Sequence, residues 1–318
     1  MGWSTDAGDS DGSENDVQEE KSNTEEVTKS QNNGESQTMS NDLTSLAPSA
    51  MDVTEAAEKD HQWKIMAWSD EGQGKTHFGY TMPEPVCFID TENKADDIAY
   101  KFSDKEVYIW QPENFDEAED YRDEALNFLS EYQSETGKRG TIVVDSMAVM
   151  WDWAKNKYIS KYYKNTDPED VTLSLEDWAP IKKIHNQQFR APMESCDFHV
   201  YWTATRKDDV NAAIEDELDE TPDKPGGESN NAYKVNSIIR LYLNNNGVPV
   251  GDLQKSGVLR FKYMGLERPT FQKHKEIVEH VQDIEDSGVE TASEVEDKYN
   301  LDYGLYGFTE ANTMRFVQ

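Results

Sequence analysis

The side chains best suited to chemistry in this sequence stand together at Gly72-Gln73-Gly74-Lys75-Thr76. Glycines let successive backbone N–H groups turn inward around an anion. A helix opening at Lys75 would add its unpaired N-terminal amides to the same anion. Lys75 supplies a mobile cation, and the Thr76 hydroxyl suits a Mg²⁺ ion carried by ATP. The candidate cofactor-binding loop is therefore Ser69, Asp70, Glu71, Gly72, Gln73, Gly74, Lys75, Thr76 and His77. The usual phosphate-loop pattern has glycine where Ser69 stands. Gly72 can supply the turn, so the stretch reads as a variant loop.

Such a loop needs a buried strand before it and a helix after it. The apolar run Lys64 to Trp68 supplies the strand. A second apolar run, Val86 to Ile89, leads into Asp90-Thr91-Glu92, and a third, Thr141 to Val144, ends in Asp145-Ser146. An acid at the C-terminal end of such a strand is where a Mg²⁺ shell would be held, which makes Asp145 a metal candidate beside Thr76.

These three motifs in this order resemble the RecA-type ATPase core. The phrase from Asp145 to Trp151, with Pro83-Glu84-Pro85 ahead of the second strand, is most similar to phage and archaeal-virus nucleotide-binding proteins, some of them single-strand annealing proteins. The resemblance spans roughly residues 63–271. It implies that Glu92 activates the attacking water and that Thr203, Thr205 and Arg206 occupy the sensor position. It also implies that Lys262 and Arg268 are cations reaching a neighbouring subunit's nucleotide, hence a homo-oligomer. The fold it implies is α/β, a RecA-like core with a central, mostly parallel sheet.

The pattern fills in the remaining elements. A short helix is expected over Ala95–Phe102, a strand over Val107–Trp110, and a helix capped by Asn114 and ended by Gly137. A helix from Trp178 to Ala191, with Pro180 in its first turn, should lead to a strand over Phe198–Trp202. Lys207 to Asn231 is a long polar stretch that reads as a lid or subunit contact. Val235–Leu243 and Leu259–Tyr263 should pair and close the sheet. A capping box at Thr291–Glu294 and a final helix capped by Thr309 suggest a helical appendage over 276–318, after a core over 61–275.

One segment stands out against the acidic background. Lys155, Lys157, Lys161 and Lys164 occur with Tyr158 and Tyr162, and no acid lies between Asp152 and Asp167. Lysines neutralise phosphates and tyrosines stack on unpaired bases, so these six are candidates for contact with single-stranded DNA. A packed amphipathic helix explains the same residues equally well.

Composition bounds the rest. The 318 residues carry a net charge of −33; the first 60 hold 15 acids and three lysines, leaving −21 on the remainder. Acidity spread through the folded region suits a cytoplasm of high salt, where carboxylate repulsion is screened. Residues 1–60 lack the apolar groups needed to offset ordering and are expected to form a disordered acidic tail. Two cysteines suggest no disulfide framework, and no apolar run is long enough to span a membrane. These readings favour a cytoplasmic ATPase, of viral or archaeal type, acting in DNA recombination or single-strand annealing. A nucleotide switch or motor without strand pairing and a non-hydrolysing nucleotide scaffold are the alternatives.

Overall fold

The computed structural model describes residues 61–164, 166–167, 170–208, 223–299 and 304–310. The expected tail and the tip of the polar stretch lie outside these residues. Strand β1 (Lys64–Ser69) is central in a mixed sheet, with β5 (His199–Asp208) on one side and β7 (Ser237–Leu243) on the other, all parallel. Beyond β5 the sheet continues parallel through β4 (Thr141–Asp145) and β2 (Val86–Asp90) to β3 (Val107–Trp110) at the edge. Beyond β7 it turns antiparallel through β8 (Pro249–Ser256) to β10 (Leu266–Glu267). Strand β6 (Asp223–Pro225) folds back on the end of β5.

The central strands are buried on both faces, which is why they read as continuous apolar runs. Alternation still assigns each side chain to a face. Ile65, Ala67, Phe88, Val143 and Tyr201 belong to one core layer, and Met66, Trp68, Ile89, Val144 and Trp202 to the other. Helix α1 (Lys75–Tyr80) contributes Phe78 and Tyr80 to the first layer. Helices α3 (Phe115–Thr136) and α4 (Met147–Tyr162) cover the second, after a short helix α2 (Asp96–Ala99) and its 3₁₀ continuation Tyr100–Phe102.

The termini of α3 match their chemistry. The Asn114 side chain accepts from Glu117 N–H at 3.0 Å, and Gly137 closes the helix at φ 71. Gly140 then lets the chain pass tightly into β4. An added Cβ there would sit 2.6 Å from Leu129 Cδ2 and 2.7 Å from the Pro85 carbonyl oxygen. The carbonyl is backbone and cannot swing aside. Gly140→Ala is therefore expected to lower unfolding free energy by about 1–3 kcal/mol, read from denaturant titration.

Several expectations need correction. The helix after the tyrosine-rich segment starts at Leu175, because Ser174 forms a capping box with Asp177, so Pro180 lies inside it. Helix α5 (Leu175–Lys183) continues through a π-helical turn, Ile184–Arg190, into α6 (Ala191–Ser195). The partner of β7 is Pro249–Ser256, joined by a turn in which Asn244 Oδ1 accepts from Asn246 and Val248 N–H at 3.0 Å each. The segment expected to close the sheet instead forms β9 (Phe261–Met264), which pairs with β11 (Gly307–Glu310) in a small second sheet. Thr309 thus lies in a strand, not at a helix cap; residues 311–318 are outside the described set.

The C-terminal region is also more integrated than an appendage. Helix α7 (Phe271–Asp286) runs across the expected boundary at residue 275. Its Ile277, Val278, Val281 and Ile284 share one core layer with α1, and Val295 from α8 (Ala292–Lys298) and Phe308 from β11 join them. The Thr291 capping box is present as read.

Candidate functional site

The C-terminal ends of β1, β2, β4 and β5 carry the candidate chemistry, as expected of an open α/β sheet. The loop leaving β1 turns through Gly72 at φ 73 and Gly74 at φ 97, left-handed conformations that favour glycine. Gly74 directly precedes α1, so the helix's first amides open onto the loop. Ser69 is where the departure from pattern gains a physical role. It is buried, and the Lys75 ammonium donates to its Oγ at 3.1 Å, to its carbonyl at 3.2 Å and to the Asp70 carbonyl at 2.9 Å. Burial lowers the Lys75 pKa, while the charges of Asp145, Glu92, Glu71 and Asp70 oppose that. The Tyr201 hydroxyl donates to the Lys75 carbonyl at 2.8 Å and fixes the start of α1.

Thr76 and Asp145 meet as their types suggested. Thr76 Oγ1 donates to Asp145 Oδ2 at 2.6 Å, and Thr203 Oγ1 donates to Asp145 Oδ1. Asp145 is buried, and desolvation pushes its pKa up against the pull of those two hydroxyls. Two hard oxygens, a hydroxyl and a carboxylate, suit Mg²⁺, which takes few protein ligands and fills the rest with water and phosphate. Among the described residues no group of three or more His, Cys, Asp or Glu side chains could hold a metal ion.

Glu92 follows β2, and Asp90 and Asp145 are register partners on adjacent strands. Thr91 ties the loop bearing Glu92 to β4. Its N–H donates to the Asp145 carbonyl at 2.8 Å, and its Oγ1 accepts from Ser146 N–H at 2.8 Å. Asp90 is fully buried and accepts from Ala95 N–H at 2.8 Å, closing the turn after Glu92; burial raises its pKa. Glu92 itself pairs with Lys94 at 3.4 Å, and Lys94 with Glu71 at 3.6 Å. Sequence reading missed Asp90, Thr91 and Lys94. Their position around Glu92 in Asp90-Thr91-Glu92-Asn93-Lys94 was the available signal.

Other candidates fall differently. His77 turns from the loop toward Phe102, with ring centroids 5.0 Å apart. The Thr205 carbonyl accepts from Gly226 N–H at 2.7 Å. Arg206 pairs with Asp223 at 2.6 Å, Asp70 at 3.3 Å and, at the longest reach, Asp208 at 4.0 Å. Arg268 is exposed at the same end of the sheet, its N–H bonded to the Pro249 carbonyl at 2.7 Å. Lys262 is buried, with its ammonium donating to the Gln254 carbonyl at 3.0 Å.

The lysine–tyrosine segment divides. Lys157 is bound to Asp116 at 2.6 Å and Glu119 at 2.8 Å and lies over the Phe115 ring. Lys155 pairs with Asp152 at 2.5 Å. Tyr158 is buried and donates to Asp177 at 2.6 Å. These three are engaged within the chain, Lys155 only by an ion pair along its own helix. Lys161, Tyr162 and Lys164 are exposed at the C-terminal end of α4.

No helix among the described residues is long and apolar enough to cross a membrane. A comparison with curated proteins gives no match. A family model described as "AAA domain" matches residues 61–247, which take in the phosphate loop, the Glu92 turn, Asp145 and Thr203. With that match over more than half of its length, and a phosphate loop facing a strand-end carboxylate, the chain belongs to the AAA-domain family of P-loop NTPases.

Proposed function

We propose that the protein is a RecA-like ATPase that hydrolyses ATP in DNA recombination or single-strand annealing. What carries the ATPase part is the convergence of Lys75, Thr76, Asp145 and Glu92 from three different strand ends. Ser69 and the glycine turn would set Lys75 against the phosphates, while Thr76 and Asp145 would hold Mg²⁺. Bound Mg²⁺ supplies charge neutralisation at the phosphate oxygens. Glu92 would act as the base that takes a proton from water. The charge of Glu92 acts on both Lys75 and Asp145, which supports a shared site. ATP turnover measured with and without single-stranded DNA tests the whole reading. Turnover without DNA stimulation would favour a switch or motor, and binding without turnover a nucleotide scaffold.

The partner contact is narrower than the sequence suggested. Exposed Lys161, Tyr162 and Lys164 support contact with single-stranded DNA; the engagement of Lys157 and Tyr158 inside the chain favours the switch. Changing Lys161 and Lys164 to Gln is expected to weaken single-strand binding and lower the slope of log affinity against log salt by about 0.7 per lost contact. Fluorescence anisotropy across a salt series reads this directly. An unchanged slope removes α4 from the DNA site. A homo-oligomer and a high-salt cytoplasm belong to the same proposal, the second supported by the −33 charge.

A further inference from the structure

Two carboxylates stand in the loop that must cradle an anion. Glu71 is met by Lys94 at 3.6 Å and Asp70 by Arg206 at 3.3 Å. Arg206 also holds something else. Its Nε donates to Asp223 Oδ1 at 2.6 Å, and the other Asp223 oxygen accepts from Arg240 Nη2 at 2.8 Å. Arg240 lies over the Trp68 ring, 5.3 Å from its centroid, at the end of β1. The Asp223 side chain is 17% exposed and Asp70 53%, so the Asp223 end is the better-shielded, firmer bond.

The segment after Asp223 touches the rest of the site. Gly226 bonds to the Thr205 carbonyl, and a Cβ on Gly226 would meet that oxygen at 3.0 Å. A Cβ on Gly227 would lie 3.2 Å from the Met147 carbonyl, at the start of α4 directly after Asp145-Ser146. One short stretch thus joins the phosphate loop, through Arg206, to the helix that follows the metal candidate.

We propose that Arg206 is a latch: Asp70 and the phosphates of a bound nucleotide compete for its guanidinium while Asp223 keeps hold of it, with Asp208 a weaker third partner at 4.0 Å. The inference rests on the nucleotide-binding reading above. Asp70 is the partner that yields, because its bond is longer and more exposed than that to Asp223, and a polyphosphate carries more charge than one carboxylate. A guanidinium fork suits phosphate oxygens as well as carboxylate. When Arg206 moves to phosphate it carries Asp223 and the 223–227 segment with it. Nucleotide binding is thereby coupled to the N-terminal end of α4.

The test is a double-mutant cycle on ATP affinity in the full chain, using wild type, Asp70→Asn, Arg206→Gln and the double variant. Asp70→Asn is expected to tighten ATP binding about three- to tenfold, and Arg206→Gln to weaken it by a similar factor. With Arg206 already changed, Asp70→Asn should give less than half of its gain. An equal gain in both backgrounds overturns the latch, since Asp70 would then act only by direct repulsion. Amide exchange over 223–227 should quicken or slow when ATP is added to wild type and stay fixed in Arg206→Gln. No ATP effect in wild type also overturns the proposal. Lys75→Ala separates the two levels: a wild type that binds ATP no better than this variant removes the nucleotide site, and the latch falls with it.

Discussion

Replacing Glu92 with Gln is expected to leave ATP affinity within about twofold while slowing turnover by roughly 10²- to 10⁴-fold, the usual worth of a positioned general base. The amide keeps the size of the side chain and can still hydrogen-bond, but it cannot take a proton from water. Binding and turnover must be read separately, by titration calorimetry and phosphate release. The loop bearing Glu92 is held by Thr91 on β4 and by Asp90 on Ala95, and neither bond involves the Glu92 side chain. A loss of turnover therefore reports chemistry and not a displaced loop. Normal turnover in this variant would take Glu92 out of the site and return the choice to Asp90 or Asp145.

Lys75→Ala should act one step earlier. Its ammonium is held by three oxygens of the phosphate loop, in a buried setting where an unscreened cation counts for more than at the surface. Loss of a charged donor to phosphate costs about 1.5–3 kcal/mol per bond. Affinity for ATP is expected to fall by roughly a hundredfold or more. The fold should persist, because Phe78 and Tyr80, not Lys75, pack α1 into the core. Circular dichroism and a thermal melt check that. Retained affinity in a folded variant would mean that the glycine turn does not bind phosphate.

Much of this site was legible because buried parallel strands announce themselves. Val86–Ile89 and Ile142–Val144 are apolar throughout, and the acid that ends each run marks the edge of the sheet. Asn114 and Gly137 bound α3 because cap chemistry is local. What stayed hidden depended on distant residues. Strand β8 mixes Val250, Gly251 and Leu253 with polar neighbours, so only the Asn244–Gly247 turn pointed to it. Lys262 reads as a surface cation until the Gln254 carbonyl comes over it. Tyr158 reads as a stacking ring until Asp177, nineteen residues away, takes its hydroxyl. Polar side chains far apart in sequence satisfy one another in ways that composition and spacing do not encode.

The pairing of β11 with β9 separates two kinds of boundary. The segment matched to the family ends at residue 247, within the turn before β8, yet the apolar layer under the phosphate loop continues to Phe308. A fragment cut at the family limit would keep Lys75, Thr76, Glu92, Asp145 and Arg206 but lose Arg268. It would also bare the hydrogen-bonding edge of β7 and strip the first core layer of α7, α8 and β11. Inheritance and folding thus draw their borders sixty residues apart in this chain, roughly the span from Gly247 to Gly307. Anyone expressing the phosphate-loop region alone should carry the chain through at least Glu310.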